Sequence, residues 1–140
     1  MKEALKNYYS DIEVGSVYSF KRTISEAHVK TFAELSGDFN PLHVNKNFGV
    51  KSKFGKNVVH GMLTASLFSN LVGMHCPGEK CLYLSQTMKF KMPLFYGETV
   101  EVKGTILGKV DALKIIKILT EIYRGDDLLI TGEAKTQFIS

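Results

Sequence analysis

The amino-acid sequence predicts an α+β domain, a curved antiparallel sheet wrapped around a long apolar central helix. Three observations carry this expectation. Val58 to Met74 is apolar nearly all round and holds no Asp, Glu, Lys or Arg, and a helix with so little polar face has to be buried. Four alternating segments follow it, parted by turn residues at hairpin-like intervals. One strand-like and one helix-like segment come before it.

In chain order, Val17 to Thr23 alternates moderately and is rich in strand formers, which predicts a short first strand. Thr23-Ile24-Ser25-Glu26 has the form of a capping box. The helix it opens sets Val29, Phe32, Ala33 and Leu35 on its apolar side and stops at Gly37. From Asp38 to Asn57 the periodicity gives way to turn residues, a proline and lysines, so a long irregular connection is expected, with one helical turn near Asn47 to Lys51. Loops of that length are often functional. The apolar helix then starts near Val58 and ends at Gly73 and Pro77-Gly78. Beyond it, Leu82, Leu84, Met88, Phe90 and Met92 alternate with Tyr83, Ser85, Thr87, Lys89 and Lys91. Thr99 to Leu107, Leu113 to Tyr123 and Leu128 to Phe138 complete the strands, with turns at Tyr96-Gly97, Gly108 to Asp111 and Gly125 to Asp127. This arrangement of strands and one apolar helix is the hot-dog fold.

At 140 residues the chain is expected to form one domain, residues 1–140. Its hydrophobic share of 44% is ordinary, and no stretch nears the roughly 18 consecutive apolar residues of a membrane span, so no membrane partner is expected. The net charge of +4 sits on scattered lysines without a basic run interleaved with aromatics, which argues against nucleic acid. Met1 to Ser10 is charged and lacks the apolar core of a secretory signal. Cys76 and Cys81 have neither redox nor zinc-knuckle spacing, so a cytoplasmic setting with two free thiols is expected. Phe39 to Gly78 contains no acid but includes Lys46, Lys51, Lys53 and Lys56, a cationic stretch suited to phosphates or simply a solvated lysine-rich loop.

Asp38 and His43 lie five apart in the irregular loop, and Asn40-Pro41 between them stiffens the chain, so both side chains can be aimed at one point. A carboxylate beside an imidazole can take a proton from water and deliver one elsewhere, which suits hydration or its reverse. The alternative is that Asp38 turns the chain and His43 packs. His28 and His75 have no partner at ligand spacing, and His75, Cys76 and Cys81 do not make a zinc set, so no metal is expected. His60 carries no assignment.

Three stretches bear on the choice by resemblance. Ala33-Glu34-Leu35-Ser36-Gly37-Asp38-Phe39-Asn40-Pro41-Leu42-His43, then Val58-Val59-His60-Gly61-Met62-Leu63 and Leu67-Phe68-Ser69, closely resemble the (R)-specific enoyl-CoA hydratases of the MaoC-like family. The likeness extends to Tyr83-Leu84-Ser85-Gln86 and Thr131-Gly132-Glu133-Ala134. The resemblance implies that Asp38 and His43 are the catalytic pair, that Ser69 orients the aspartate, that Asn40 supports the pair, and that Gly61 N–H receives the thioester oxygen. On the residues alone, Ser69 could instead satisfy a carbonyl one turn back, and Gly61 could serve only close packing. A Gly61 in the first helical turn is independently suited to an oxyanion, because N–H groups there lack partners and the helix dipole favours negative charge.

The implied reaction is reversible hydration of a trans-2-enoyl-CoA to an (R)-3-hydroxyacyl-CoA, without a cofactor. Lys46, Lys51, Lys53 and Lys56 would then meet the CoA phosphates. Three rivals share the fold. A hot-dog thioesterase usually places its carboxylate on or near the central helix, where this chain has Ser66 and Ser69 and no acid. A carrier-protein dehydratase has a different motif, and a non-catalytic acyl-CoA-binding domain would not need Asp38, His43 and Ser69 intact. An exposed sheet edge and the resemblance together imply a homodimer, or a higher homo-oligomer, with the acyl tunnel near the interface.

Overall fold

The computed structural model describes residues 3–139, so the first two residues of the charged N-terminal decad and the last residue of the 1–140 unit lie outside it. β1 spans Val17–Thr23 with the expected bounds. α1, Glu26–Ser36, is capped by Ser25, two positions later than the predicted box. Ser25 Oγ accepts from His28 N–H at 3.3 Å and His28 Nδ1 accepts from Ser25 N–H at 3.0 Å, so His28 takes the part a Glu or Gln usually plays. Gly37 ends the helix in the left-handed region, φ 79°. Val29 and Ala33 are buried, but Leu35, expected on the same side, is 85% exposed.

The connection expected to be irregular holds two short helices, α2 at Pro41–Val44 and α3 at Lys46–Lys51. Asparagines cap both: Leu42 N–H donates to Asn40 Oδ1 at 3.0 Å and Phe48 N–H to Asn45 Oδ1 at 2.9 Å. Buried Asn57 ties them together, its amide donating to the carbonyls of Leu42 and Asn45, each at 2.9 Å. Gly49 is needed there, because a Cβ would lie 2.6 Å from the Asn57 amide nitrogen.

Two parts of the predicted architecture need correction. The sheet does not curl or close around a helix: its order is β1-β4-β5-β6-β2, an open path with β1 and β2 as edges. The strands are β2 Cys81–Gln86, β3 Lys89–Phe90, β4 Thr99–Val110, β5 Ile115–Arg124 and β6 Asp127–Phe138, all paired antiparallel. The long helix is also segmented, into α4 at Gly61–Ala65, α5 at Leu67–Asn70 and a π-helical turn at Leu71–His75. Ser66 marks the first break, where its hydroxyl donates to Leu63 O at 2.6 Å and competes with the backbone ladder. At the second, Cys76 N–H reaches back to Leu71 O at 3.0 Å, the wider spacing of a π turn.

The alternating stretch from Leu82 to Met92 is two strands, β2 and β3, beside β6. Thr87 between them presses its carbonyl against Gly132 so closely that a Cβ there would sit 1.7 Å from the oxygen. β4 continues through the turn expected at Gly108, absorbing the change as a register shift between Ile106 and Gly108. The apolar residues of α5 and the π turn fill the sheet face: Phe68 and Leu71 pack with Val100, Val102 and Ile122, and Val72 packs with Ile106 and Ile118. Among the described residues no helix is long and apolar enough to cross a membrane.

Candidate active site

The tight end of α1 and the start of α2 set the position of Asp38. Its backbone N–H donates to Ser36 Oγ at 3.2 Å, and its Oδ1 accepts from Asn40 N–H at 3.1 Å, an Asx turn that fixes one carboxylate oxygen and leaves Oδ2 free of that turn. Asp38 therefore does turn the chain, and its side chain remains 49% exposed. Asn40 does not touch the carboxylate with its side chain, which is spent capping α2. Its main-chain N–H is the supporting contact.

His43 sits in the single turn of α2, where Pro41 at the first helical position fixes the local backbone. Its Nδ1 lies 2.7 Å from Val58 O. A carbonyl only accepts, so Nδ1 carries the proton and, in the neutral ring, Nε2 offers a lone pair. Tyr96 Oη donates to His43 O and anchors the same turn. Burial, with Glu26 adding to it, holds that phenol above its ordinary pKa, which keeps it a donor.

His60 is the residue that sequence reasoning left out. It is 2% exposed, and its ring centroid lies 4.0 Å from that of His43 at an interplanar angle of 30°. Its Nε2 donates to Asp38 O at 2.9 Å and stands 4.0 Å from Asp38 Oδ2. The only sequence signal for it is its place beside Gly61, since its partners are 17 and 22 residues away.

One ligand-type atom from each of Asp38, His43 and His60 falls within 4.8 Å of the others. That spacing would admit a cation, but His60 Nε2 presents a proton rather than a lone pair, so the donor set does not call for one. The spacing also fits one water. Two hydrogen bonds of about 2.8 Å meeting at a near-tetrahedral oxygen span roughly 4.6 Å.

His43 and Gly61 line one cavity of about 290 Å³, with Val59, Thr64, Phe90 and Leu94 among its walls. Gly61 opens α4, so its N–H has no acceptor inside the helix, and a Cβ would come 2.9 Å from the Phe90 ring. Ser69 is elsewhere. It lines a second cavity of about 320 Å³ with Phe32, Met62, Tyr83 and Met88, and among the described residues no hydrogen bond joins its hydroxyl to Asp38. The four lysines separate too. Lys46 and Lys56 share a cavity of about 270 Å³ with Phe95 and Tyr96, and Lys56 Nζ lies 4.2 Å from the Phe95 ring centre. Lys53 stands over Phe54 at 5.2 Å, and Lys51 is exposed on α3.

Comparison with known proteins bears on this geometry. Residues 11–123 match the MaoC-like domain. An (R)-specific enoyl-CoA hydratase of Aeromonas caviae is 40% identical over 124 residues, covering 88% of this chain and 92% of that protein. A 3-hydroxybutyryl-CoA dehydratase of Methylorubrum extorquens is 35% identical over 127 residues, covering 91% and 81%. The solved (R)-hydratase from Aeromonas caviae, described as involved in PHA biosynthesis, superposes with a TM-score of 0.88 at 38% identity, over 91% of this chain and 97% of that one.

Proposed function

The chain belongs to the MaoC-like domain family, and on that premise we propose that it is an (R)-specific enoyl-CoA hydratase, with Asp38 and His43 as the residues that handle the water. The observation that carries the reading is the convergence of the Asp38 carboxylate and the His43 imidazole to within 4.8 Å, beside a cavity that His43 shares with Gly61.

In the hydration direction, a water held between Asp38 and His43 Nε2 attacks C3 of the trans-2-enoyl thioester. The pair receives a proton from that water and returns one to C2, so the elements of water are added and the pair ends in its starting state. Negative charge developing on the thioester oxygen is met by Gly61 N–H, a donor already in place at the head of α4. Glycine, having no side chain, also lets the thioester approach the backbone closely. No cofactor enters these steps. Lys46 and Lys56 line one cavity, and if they meet CoA phosphates, loss of either is expected to raise KM for the CoA thioester and leave kcat unchanged.

A homodimer fits the free edge of the sheet. β2 is an edge strand with Leu82 and Leu84 48% and 46% exposed, and Phe90 of β3 is 52% exposed beside it. A cytoplasmic setting accords with two free thiols, Cys76 and Cys81.

The test compares three substrates with purified protein: crotonyl-CoA, the same acyl group on a carrier protein, and a saturated acyl-CoA. Faster turnover of the CoA enoyl thioester supports the reading. Preference for the carrier-protein thioester would make the chain a carrier-protein dehydratase. Release of free thiol from the saturated thioester would make it a thioesterase.

A further inference from the structure

We propose that His60 is a positioning residue that couples the two halves of the site, holding the Asp38 main chain and the plane of the His43 ring at once. This rests on the hydratase reading for its consequence, though not for its geometry. Asp38 arrives from the end of α1 and His43 from α2, and neither element touches the other's functional group through a hydrogen bond: Asp38 bonds within its own turn, and His43 bonds to Val58. His60 meets both. Its Nε2–H donates to Asp38 O at 2.9 Å, and the face of its ring lies against His43 at 4.0 Å. Phe32 of α1 also packs on the ring, at 4.8 Å with an interplanar angle of 62°.

The unmet half of the ring argues against an ordinary core histidine. Among the described residues, Nδ1 of His60 is buried with no hydrogen-bond partner. A buried polar atom without a partner is a net cost, and an apolar side chain of similar size would avoid it. Only Nε2 of this imidazole is used, and it is used on Asp38. His60 is also the residue that precedes Gly61, so displacing it displaces the N–H at the head of α4. One side chain therefore sets the spacing among the carboxylate, the imidazole and the backbone donor. It acts through its neighbours.

The experiment uses His60→Leu, which keeps bulk without a donor, and His60→Gln, which returns an N–H near the position of Nε2. Two readouts are taken: exchange of the Asn40 amide, whose hydrogen bond to Asp38 Oδ1 reports the turn, and kcat and KM for crotonyl-CoA. In His60→Leu, Asn40 exchange is expected to speed up by about tenfold, and kcat to fall by roughly 10- to 100-fold with KM nearly unchanged. His60→Gln is expected to recover most of both. His60→Phe, which keeps a ring against His43 and Phe32, replaces the leucine variant if that one does not fold. Unchanged Asn40 exchange or unchanged kcat in the folded donor-less variant would overturn the proposal, as would a glutamine variant no better than leucine. If the wild-type protein itself does not hydrate crotonyl-CoA, the hydratase reading fails, and Asn40 exchange alone decides the role of His60.

Discussion

Val58 O accepts a hydrogen bond from His43 Nδ1 at 2.7 Å, and this contact chooses the tautomer of the proposed catalytic histidine. Val58 lies between α3 and α4, in extended backbone tied to the strand region by a bridge to Phe95. The Val58 segment thus dictates which nitrogen of the α2 histidine faces the cavity.

That contact separates two roles that one substitution would confuse. His43→Asn places an amide N–H near Nδ1 and supplies nothing at Nε2. It is expected to melt within about 2 °C of wild type and to lose roughly 10²- to 10⁴-fold in kcat/KM. His43→Leu leaves Val58 O without its partner and is expected to lose the same activity and a further 1 to 3 kcal/mol or so of stability. Thermal melts beside steady-state kinetics check both.

Gly61 and Phe90 make a second separable pair. A Cβ at residue 61 would lie 2.9 Å from two atoms of the Phe90 ring, and Phe90 is 52% exposed, with solvent to give way into. Gly61→Ala is therefore expected to fold with a stability loss under about 1.5 kcal/mol, while the displaced ring narrows the cavity and lowers kcat/KM by about tenfold or more. Adding Phe90→Ala should restore part of that activity if the ring is the obstacle.

Alkaline pH should weaken the fold through Cys76. Burial raises its thiol pKa from 9.0 to about 11, with a hydrogen bond from Tyr18 opposing the shift. For an acid whose folded pKa is the higher one, stability is complete below the unfolded value and drains as pH climbs to the folded value. The window here is about pH 9 to 11, and the Cys76 contribution is about 3 kcal/mol. Urea melts should show the stability gap between wild type and Cys76→Ala narrowing by about that amount across the window, and staying constant from pH 7 to 8.5 or so.

The β2 edge gives a test of assembly. Leu84→Lys puts a charge on an exposed apolar strand edge and should shift the protein from dimer to monomer in sedimentation velocity, with β1, the opposite edge, unaffected. A wild-type monomer at the same concentration would remove the dimer.

What the sequence revealed followed from how local each signal is. β1 was legible at its true bounds because its alternation and strand-forming residues are local, whereas the stretch expected to be irregular hides the one-turn helix that carries His43, capped by Asn40. The start of the central helix was misplaced by three residues. Val58 and Val59 are as apolar as the helix that follows, but they pair with Phe95 and Leu94 as extended chain, and an apolar run does not announce its own period. The breaks at Ser66 and Leu71 depend on one hydroxyl and one carbonyl choosing different partners. The openness of the sheet depends on which strands end up as edges, a global property that alternation leaves undetermined. His60 was invisible as part of the site for a related reason: its role exists only once α1, α2 and α4 have met.

Crotonyl-CoA hydration by wild type and by Asp38→Asn, with chiral analysis of the product, tests the central claim most directly. The wild-type protein is expected to give (R)-3-hydroxybutyryl-CoA, and the folded variant to lose about 10²- to 10⁴-fold in rate. An (S) product, or an Asp38→Asn protein that hydrates as fast as wild type, would contradict that claim.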